Sequence, residues 1–149
     1  MNQYVERPQL PIPNVLQQLN RAMGYAYYLD LDMKNSFHQM RISYETSLKL
    51  TVQTPWGLVR PLFLPEGVSP ASGYLQLYVN EIFNDYQEWM IVIFDNFLVL
   101  CHDEQDAFVK FKLVIKRCFE RGVVLKMEKS YIGFQKVSFF GYEVCKDKY

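Results

Sequence analysis

Two acidic residues interrupt hydrophobic segments that otherwise have the composition of β-strands. Asp32 follows the aromatic and aliphatic segment 25–31, in which only Asp30 is charged, and Asp95 lies inside the apolar run 89–101. A buried carboxylate without a partner is costly, so an acid inside such a pattern is unusual for a purely structural strand. Two carboxylates brought together by a sheet would bind a hard divalent cation such as Mg²⁺ or Mn²⁺. Spacing alone also allows each Asp to lie at a strand end or in a turn.

The hydrophobic pattern predicts an α+β fold, with an antiparallel sheet backed by helices on one face. Three helices are predicted: one over residues 15–23, one that starts at Ser69 and Pro70, and one that is capped by Asp103 and ends at Gly122. In the third helix an apolar stripe is formed by Phe108, Phe111, Val114, Ile115, Cys118 and Phe119. Short strands are predicted at residues 25–31, 39–43, 48–54, 58–64, 89–94, 97–101, 123–126, 131–134 and 137–144. Two hairpins are predicted among them, with turns at Pro55-Trp56-Gly57 and at Asp95-Asn96.

Composition limits the classes of function. The chain of 149 residues carries 16 basic and 16 acidic side chains, so it lacks the basic excess of a free-standing nucleic-acid binder. Its 3 cysteines have no close spacing, which argues against a zinc motif or a disulfide framework. The polar N-terminus does not fit a signal peptide, and the longest apolar run is too short for a membrane span. We therefore expect an intracellular protein.

Six segments in a fixed order resemble the reverse transcriptase palm of gypsy-like LTR retrotransposons, over residues 4 to about 144. The first catalytic motif of that family is similar to YYLDLDMKNSFHQM, and its Tyr-x-Asp-Asp hairpin is similar to MIVIFDNFLVL. The other four segments are RPQLPIPNVLQQL, KLTVQTPWGLVRPLFLPEG, VSPASGYLQLYVNEIF and FKLVIKRCFERGVVLKMEKSYIGFQKVSFFGYEV. The resemblance implies an RNA-directed DNA polymerase that acts on a template-primer and deoxynucleotides with Mg²⁺ or Mn²⁺.

Roles for single residues follow from matching positions in this family. Asp32 and Asp95 would ligate the metal. Phe37, five residues after Asp32, would pack against the incoming sugar and exclude a 2′-hydroxyl, or it is an ordinary core aromatic. Gln76 would lie near the template or nucleotide, or it is an exposed polar residue of a helix. Lys129 would neutralise the leaving pyrophosphate, or it is a solvated surface lysine.

Two candidate residues depart from the family pattern, and a third acid, Asp30, needs a separate interpretation. Asn96 stands where the hairpin motif has its second Asp, and it offers a metal a carbonyl oxygen without a charge. Glu66 stands where the family has Phe beside the nucleotide, and its carboxylate would repel a triphosphate. Asp30 lies on the same strand face as Asp32, but the family requires no acid there, so we interpret it as a supporting or exposed group.

We expect residues 1–149 to form one reverse-transcriptase-like domain, with about 1–24 and 44–66 towards the fingers and the remainder in the palm. The thumb and the RNase H domain of the family are not represented in this sequence. A palm alone should bind template-primer weakly, which accords with the neutral net charge. The alternative hypothesis is a catalytically weakened or inactive retroelement-derived domain that serves as a structural or interaction subunit of a larger assembly. A metal-dependent nuclease is less well supported, because no further acidic or histidine cluster accompanies the two aspartates.

Overall fold

Strand β1 (Tyr27–Asp32) lies inside a four-stranded antiparallel sheet and pairs on both sides. The computed structural model describes residues 13–68 and 71–147. Its helices are α1 Val15–Ala22, α2 Tyr44–Lys49, α3 Ala71–Ile82 and α4 Glu104–Arg121. Its other strands are β2 Val52–Thr54, β3 Gly57–Val59, β4 Met90–Ile93, β5 Asn96–Cys101, β6 Tyr131–Phe134, β7 Lys136–Phe139 and β8 Tyr142–Cys145. The sheet has the order β4-β5-β1-β6, and β2-β3 and β7-β8 are separate hairpins.

Elements of the fold pack on both faces of the central sheet. Successive side chains of a strand point to opposite faces, so each strand contributes to both cores. Leu29 and Leu31 of β1 join the core that α3 and α4 complete, together with Val114 of α4. Tyr28 and Leu98 project to the other face, where α1 and the β7–β8 hairpin cover them. The expected α+β fold is confirmed, and the second face is partly covered as well.

The ends of α1 and α4 follow from their capping residues. The side chains of Asn14 and Asp103 accept hydrogen bonds from main-chain N–H groups of the first turns of α1 and α4. Gly122 ends α4 in the left-handed conformation (φ 69°) that a glycine adopts without strain. The predicted stripe of α4 is wrong at two positions, because Phe108 and Phe119 are exposed, and the buried face is centred on Val114 and Cys118.

Residues 39–50 are where the predicted elements differ most from the fold. The strand predicted at 39–43 is reduced to a single bridge between Arg41 and Phe63. The residues that follow form α2, capped by Ser43, because the Ser43 hydroxyl accepts a hydrogen bond from the Thr46 N–H. The strand predicted at 123–126 is likewise only a bridge, between Met33 and Leu125. The predicted helix start at Ser69 and Pro70 lies outside the described residues, as do residues 1–12.

No helix within residues 13–68 and 71–147 combines the length and hydrophobicity that a bilayer crossing requires. The two predicted hairpins are present: β2 and β3 meet across Pro55 and Trp56, and β4 pairs with β5 over four residues. The strands predicted at 48–54 and 58–64 are too long, because β2 and β3 have three residues each and residues 48–49 belong to α2. The single strand predicted at 137–144 is instead the hairpin of β7 and β8, which turns at Phe140 and Gly141.

A partly buried lysine joins α4 to the end of β5. Lys110 Nζ donates hydrogen bonds to the Leu100 carbonyl and to Asp106 Oδ2, both at 2.8 Å. The ammonium also lies 5.4 Å from the centre of the Trp89 ring, within the range of a cation–π interaction. The side chain of Lys110 is only 12% exposed, so these partners replace the hydration that the ammonium loses on burial.

Lys110→Met should therefore lower the free energy of unfolding by about 2 kcal/mol, because it leaves Asp106 and the Leu100 carbonyl without their cationic donor. Urea denaturation measures the change. Lys116→Met is the matched control, since Lys116 on the same helix is 75% exposed and its ion pair is 3.9 Å long; it should change stability by less than about 0.5 kcal/mol. Equal effects of the two substitutions would contradict the role given to Lys110.

Candidate active site

The register of β1 with β5 brings the two aspartate segments together. Asp32 is paired with Asn96, the residue that follows Asp95. The Met33 N–H donates to the Asp95 carbonyl at 2.8 Å, so the main chain beside Asp32 is tied to the hairpin turn. The Lys126 N–H donates to the Asp32 carbonyl at 2.7 Å from the other side. Hydrogen bonds of the main chain thus fix the backbone of both acidic residues.

The hairpin turn itself is strained. Ile93 and Asn96 form the last pair of the hairpin, so the turn consists of Phe94 and Asp95 and not of Asp95 and Asn96 as the sequence predicted. Phe94 has a φ of 53°, in the left-handed region that residues with a side chain rarely adopt. Such a conformation costs about 1–2 kcal/mol and persists only where neighbouring groups hold it.

Gln76 of α3 holds this turn in place. Its Oε1 accepts a hydrogen bond from the Phe94 N–H at 2.8 Å, and its Nε2 donates to the Val92 carbonyl at 3.1 Å and to Asn80 Oδ1 at 2.8 Å. The side chain is 2% exposed. The alternative of an exposed helix residue is therefore wrong, and Gln76 acts on the hairpin from the helix side of the sheet.

The carboxyl groups of Asp32 and Asp95 are close enough to influence each other electrostatically. Burial raises the pKa of the Asp95 carboxyl, and the charge of Asp32 raises this pKa further, although the Asp95 backbone N–H opposes the change. Asn96 Nδ2 donates to Asp95 Oδ1 at 3.2 Å. None of the ion pairs within residues 13–68 and 71–147 involves Asp32 or Asp95. Two neighbouring carboxylates without a cation fit the oxygen-donor preference of Mg²⁺ or Mn²⁺.

Asp30 belongs to the same face of β1 and is more buried than an exposed acid would be. It is paired with Leu98 in β5 and with Tyr131 in β6, so both of its neighbouring strands flank it. Burial, with the charge of Asp32 as a second cause, raises the pKa of Asp30 to about 6. The exposed interpretation of Asp30 does not hold. A supporting position beside Asp32 agrees with the structure.

Gln39 is a positioning residue that sequence reasoning did not identify. Its Oε1 accepts a hydrogen bond from the Val124 N–H at 2.8 Å, and its Nε2 donates to the Val124 carbonyl at 2.9 Å and to the Lys34 carbonyl. These bonds connect the loop after β1 to the segment after α4. A pairing between segments so distant in the sequence leaves no local signal, although the Gln lies inside the motif that drew attention to Asp32.

The remaining candidate residues, Phe37, Glu66 and Lys129, differ in their burial and local structure. Phe37 is half-buried in a short 3₁₀ helix and packs against the core, so both of its interpretations stay open. Glu66 is exposed in a turn, and no ion pair of a described residue neutralises it. Lys129 is exposed at the end of another 3₁₀ helix, as a solvated lysine would be.

The sequence matches the reverse transcriptase (RNA-dependent DNA polymerase) family over residues 1–144. The chain belongs to this family. Among curated relatives, this reverse transcriptase domain is 26% identical over 147 residues to the Transposon Tf2-7 and Tf2-8 polyproteins of Schizosaccharomyces pombe. The alignment covers 98% of the domain and 11% of each polyprotein. The gypsy-like origin expected from the six motifs is confirmed.

Solved structures show the same fold. The domain superposes on the foamy viral protease-reverse transcriptase in complex with RNA/DNA hybrid with a TM-score of 0.88 and 16% identity, covering 97% of this chain and 20% of that one. The foamy viral protein in complex with double-stranded DNA gives a TM-score of 0.89 at 16% identity, covering 97% and 25%. The reverse transcriptase domain therefore spans a minor part of each protein that it resembles.

Removing the side-chain amide of Gln76 should disturb the hairpin more than the helix. Gln76→Met keeps an unbranched side chain but leaves the Phe94 N–H and the Val92 carbonyl without partners, so we expect a loss of about 2 kcal/mol in unfolding free energy. Hydrogen exchange at the Phe94 amide should accelerate. Gln87→Met, at an exposed position, is the control. A Gln76→Met protein with unchanged protection at Phe94 would show that the turn is held by other groups.

Stability should also depend on pH through Asp30. Because its folded-state pKa of about 6 lies above the ordinary value of 3.8, the folded state binds more protons between these values, and stability falls as pH rises through this window. Asp30→Asn should make the fall smaller, because only the contribution of Asp95, whose pKa burial also raises, then remains. It should add roughly 1–2 kcal/mol at pH 7, after allowance for solvent screening of this partly exposed group. Urea titrations in EDTA at pH 4, 5, 6 and 7 measure it. Parallel curves for both proteins would contradict the prediction.

Proposed function

We propose that this domain, in its parent element, transfers nucleotides to the 3′ end of a primer paired with an RNA or DNA template. The observation that carries the proposal is the pairing of Asp32 with the residue after Asp95, which brings the two acidic segments together at one end of the sheet. Membership of the reverse transcriptase family supports it. The foamy viral relative in complex with RNA/DNA hybrid supports the choice of template-primer as partner.

Asp32 and Asp95 are the residues that would hold Mg²⁺ or Mn²⁺. Such a metal, when bound, activates the attacking oxygen and stabilises the leaving one in phosphoryl transfer. Within residues 13–68 and 71–147 no group of three or more His, Cys, Asp or Glu residues could hold a metal by itself. This accords with Mg²⁺ sites that use one or two carboxylates and complete their coordination with substrate phosphates.

The other assigned residues orient the substrate. Gln76 fixes the turn and so the direction of Asp95, which makes it a positioning residue and not a direct contact of the nucleotide. We assign to Phe37 the face of the incoming sugar, because the ring is half-buried on the core and only five residues after Asp32. Lys129 is assigned to the leaving pyrophosphate, and exposed Glu66 to the nucleotide side, where a bound cation would have to neutralise it.

A second function, as a structural or interaction subunit, is favoured by one observation. The Asn96 amide donates a hydrogen bond to Asp95 Oδ1, so it engages an oxygen that a metal would need and contributes no charge of its own. A site weakened in this way would be tolerated in a subunit that no longer catalyses. Restoring the carboxylate distinguishes the two functions.

Primer extension by the full-length protein of the parent element tests both functions. Asp95→Asn should lower the rate on the order of 10²-fold or more, because a metal contributes several kcal/mol to the transition state. Asn96→Asp should lower the Mg²⁺ or Mn²⁺ concentration for half-maximal rate by about tenfold or more, because it adds a negative charge beside Asp95, one of the two residues that would hold the cation. Asp85→Asn is the control, since Asp85 is exposed and paired with Arg117.

The two functions predict different results. Extension that depends on Asp95 and improves with Asn96→Asp establishes the polymerase. Extension that is equal in the wild type and in Asp95→Asn excludes the assigned site. No product from the wild type or from Asn96→Asp would favour the structural subunit.

A further inference from the structure

The loop that follows β1 carries Phe37 between two attachment points on the segment after α4. This loop consists of residues 34–39 and includes a 3₁₀ helix. The Lys34 N–H donates to the Val124 carbonyl at 2.9 Å, and at the other end of the loop the Gln39 side chain bonds to the same residue. Both ends of the loop thus meet at Val124, and Phe37 lies between them.

The side-chain amide of Gln39 is fully used at this junction. Its Oε1 accepts a hydrogen bond from the Val124 N–H at 2.8 Å, and its Nε2 donates to the Val124 carbonyl at 2.9 Å and to the Lys34 carbonyl. A neutral side-chain amide combines one acceptor with two donors, and this set matches the three bonds. Any side chain without the amide leaves the Val124 N–H and the Lys34 carbonyl without this partner, which is unfavourable where water is partly excluded.

The backbone of the loop depends on such a closure. Asn35 has a φ of 47°, in the left-handed region that residues with a side chain rarely adopt. The four-residue 3₁₀ helix that follows is held by the His38 N–H, which donates to the Asn35 carbonyl at 2.9 Å, and by the Met40 N–H, which donates to the Phe37 carbonyl at 3.2 Å. Hydrogen bonds of 3₁₀ helices have poor geometry, so contacts at the ends decide the position of so short a helix. Gln39 supplies the contact at the far end.

The main chain of Asp32 is held by bonds that do not involve Gln39. The pairing of β1 with β5 extends to Asp32, and the Lys126 N–H donates to the Asp32 carbonyl at 2.7 Å. These are main-chain bonds, which a substitution at position 39 does not remove. A change at Gln39 therefore acts first on the part of the loop that carries Phe37.

Exclusion of a 2′-hydroxyl by an aromatic ring is a steric effect, and it is sensitive to small displacements of the ring. A shift of about 1 Å at a positioning group can change a rate on the order of 10²-fold. The Phe37 ring is half-buried, and its inner side packs against the core. How far its outer side reaches towards a sugar is set by the backbone from which it projects, and Gln39 holds that backbone.

We propose that Gln39 determines how strictly the site selects deoxynucleotides over ribonucleotides, because it fixes the backbone that carries Phe37. The inference rests on the proposed function and on the sugar-side position assigned to Phe37 there. Gln39 acts through Phe37 and is therefore a positioning residue. Its loss should loosen the selection between the two sugars.

Single-nucleotide primer extension by the full-length protein of the parent element, with a deoxynucleotide and the matching ribonucleotide, measures the ratio of their kcat/KM values. Gln39→Met keeps an unbranched side chain of similar length and should lower this ratio about tenfold, because a displaced ring discriminates less. The kcat/KM value for the ribonucleotide should rise. A general loss of structure would lower both values instead.

A double-mutant cycle tests whether Gln39 acts through Phe37. Phe37→Ala should lower the ratio on the order of 10²-fold. Adding Gln39→Met to Phe37→Ala should change the ratio by less than about twofold, because the ring through which Gln39 acts is already absent.

Two further variants test the hydrogen bonds themselves. Gln39→Glu keeps an acceptor but replaces the donor by an oxygen that faces two carbonyls, so it should lower the ratio at least as much as Gln39→Met. Hydrogen exchange at the Val124 amide should accelerate in both. Gln87→Met, at an exposed position, is the matched control and should leave the ratio unchanged. Thermal melting should show that every variant is folded.

The inference is overturned by an unchanged ratio in Gln39→Met, by full selectivity in Gln39→Glu, by additive effects in the double variant, or by an equal change in Gln87→Met. Extension that depends on Asp95 but shows an unchanged ratio would reject the role of Gln39 alone. A wild type that does not extend the primer, or that extends it without dependence on Asp95, would reject the proposed function and this inference with it.

Discussion

The register between β1 and β5 is the constraint on which the rest of the structure depends. Six consecutive pairs fix it, from Tyr27 opposite Cys101 to Asp32 opposite Asn96. Because side chains alternate between the two faces, a slip of one residue would turn Asp30 and Asp32 into the core formed with α3 and α4. The apolar residues Leu29 and Leu31 would then face the side that carries the site. Burial of these leucines therefore selects the same register that assembles the acidic face.

Two features of the site are unfavourable for stability, and contacts from the surrounding fold must offset them. The carboxyl of Asp95 is partly buried beside Asp32, and Phe94 adopts a left-handed conformation. Both features destabilise the hairpin, and both are held by bonds from outside it: Gln76 from α3 and the Met33 N–H from the end of β1. An asparagine at position 96, where the family has a second Asp, leaves one charge fewer at this crowded end and so eases repulsion. In the proposed metal site the same residue would weaken cation binding, so stability and the proposed metal affinity would oppose each other at a single residue.

The sequence predicts well those elements that local patterns determine. The β4–β5 hairpin was found because two apolar runs flank a polar break, and the ends of α4 were found because Asp103 and Gly122 are strong capping residues. It predicts poorly what tertiary partners decide. Helix α2 has six residues and is too short and too polar to give a periodic signal. Phe119 has the spacing of a core residue, but no element in the described part of the chain packs over it. Gln76 was ambiguous for the same reason, since its partners are main-chain groups of a turn eighteen residues away.

The bond between Gln76 and Phe94 has a consequence for how the gene can change. The turn and α3 must be inherited together for this bond to persist, because the residue that stabilises the turn is encoded before the strand that leads into it. Exchange of segments between diverged copies would preserve this unit when the crossover falls outside residues 76–96, and would disrupt it when the donor lacks a glutamine at the matching position. Position 92 can change without loss of its bond to Gln76, because every residue type presents a main-chain carbonyl. Position 94 must keep its N–H, which excludes proline, and must adopt a left-handed φ.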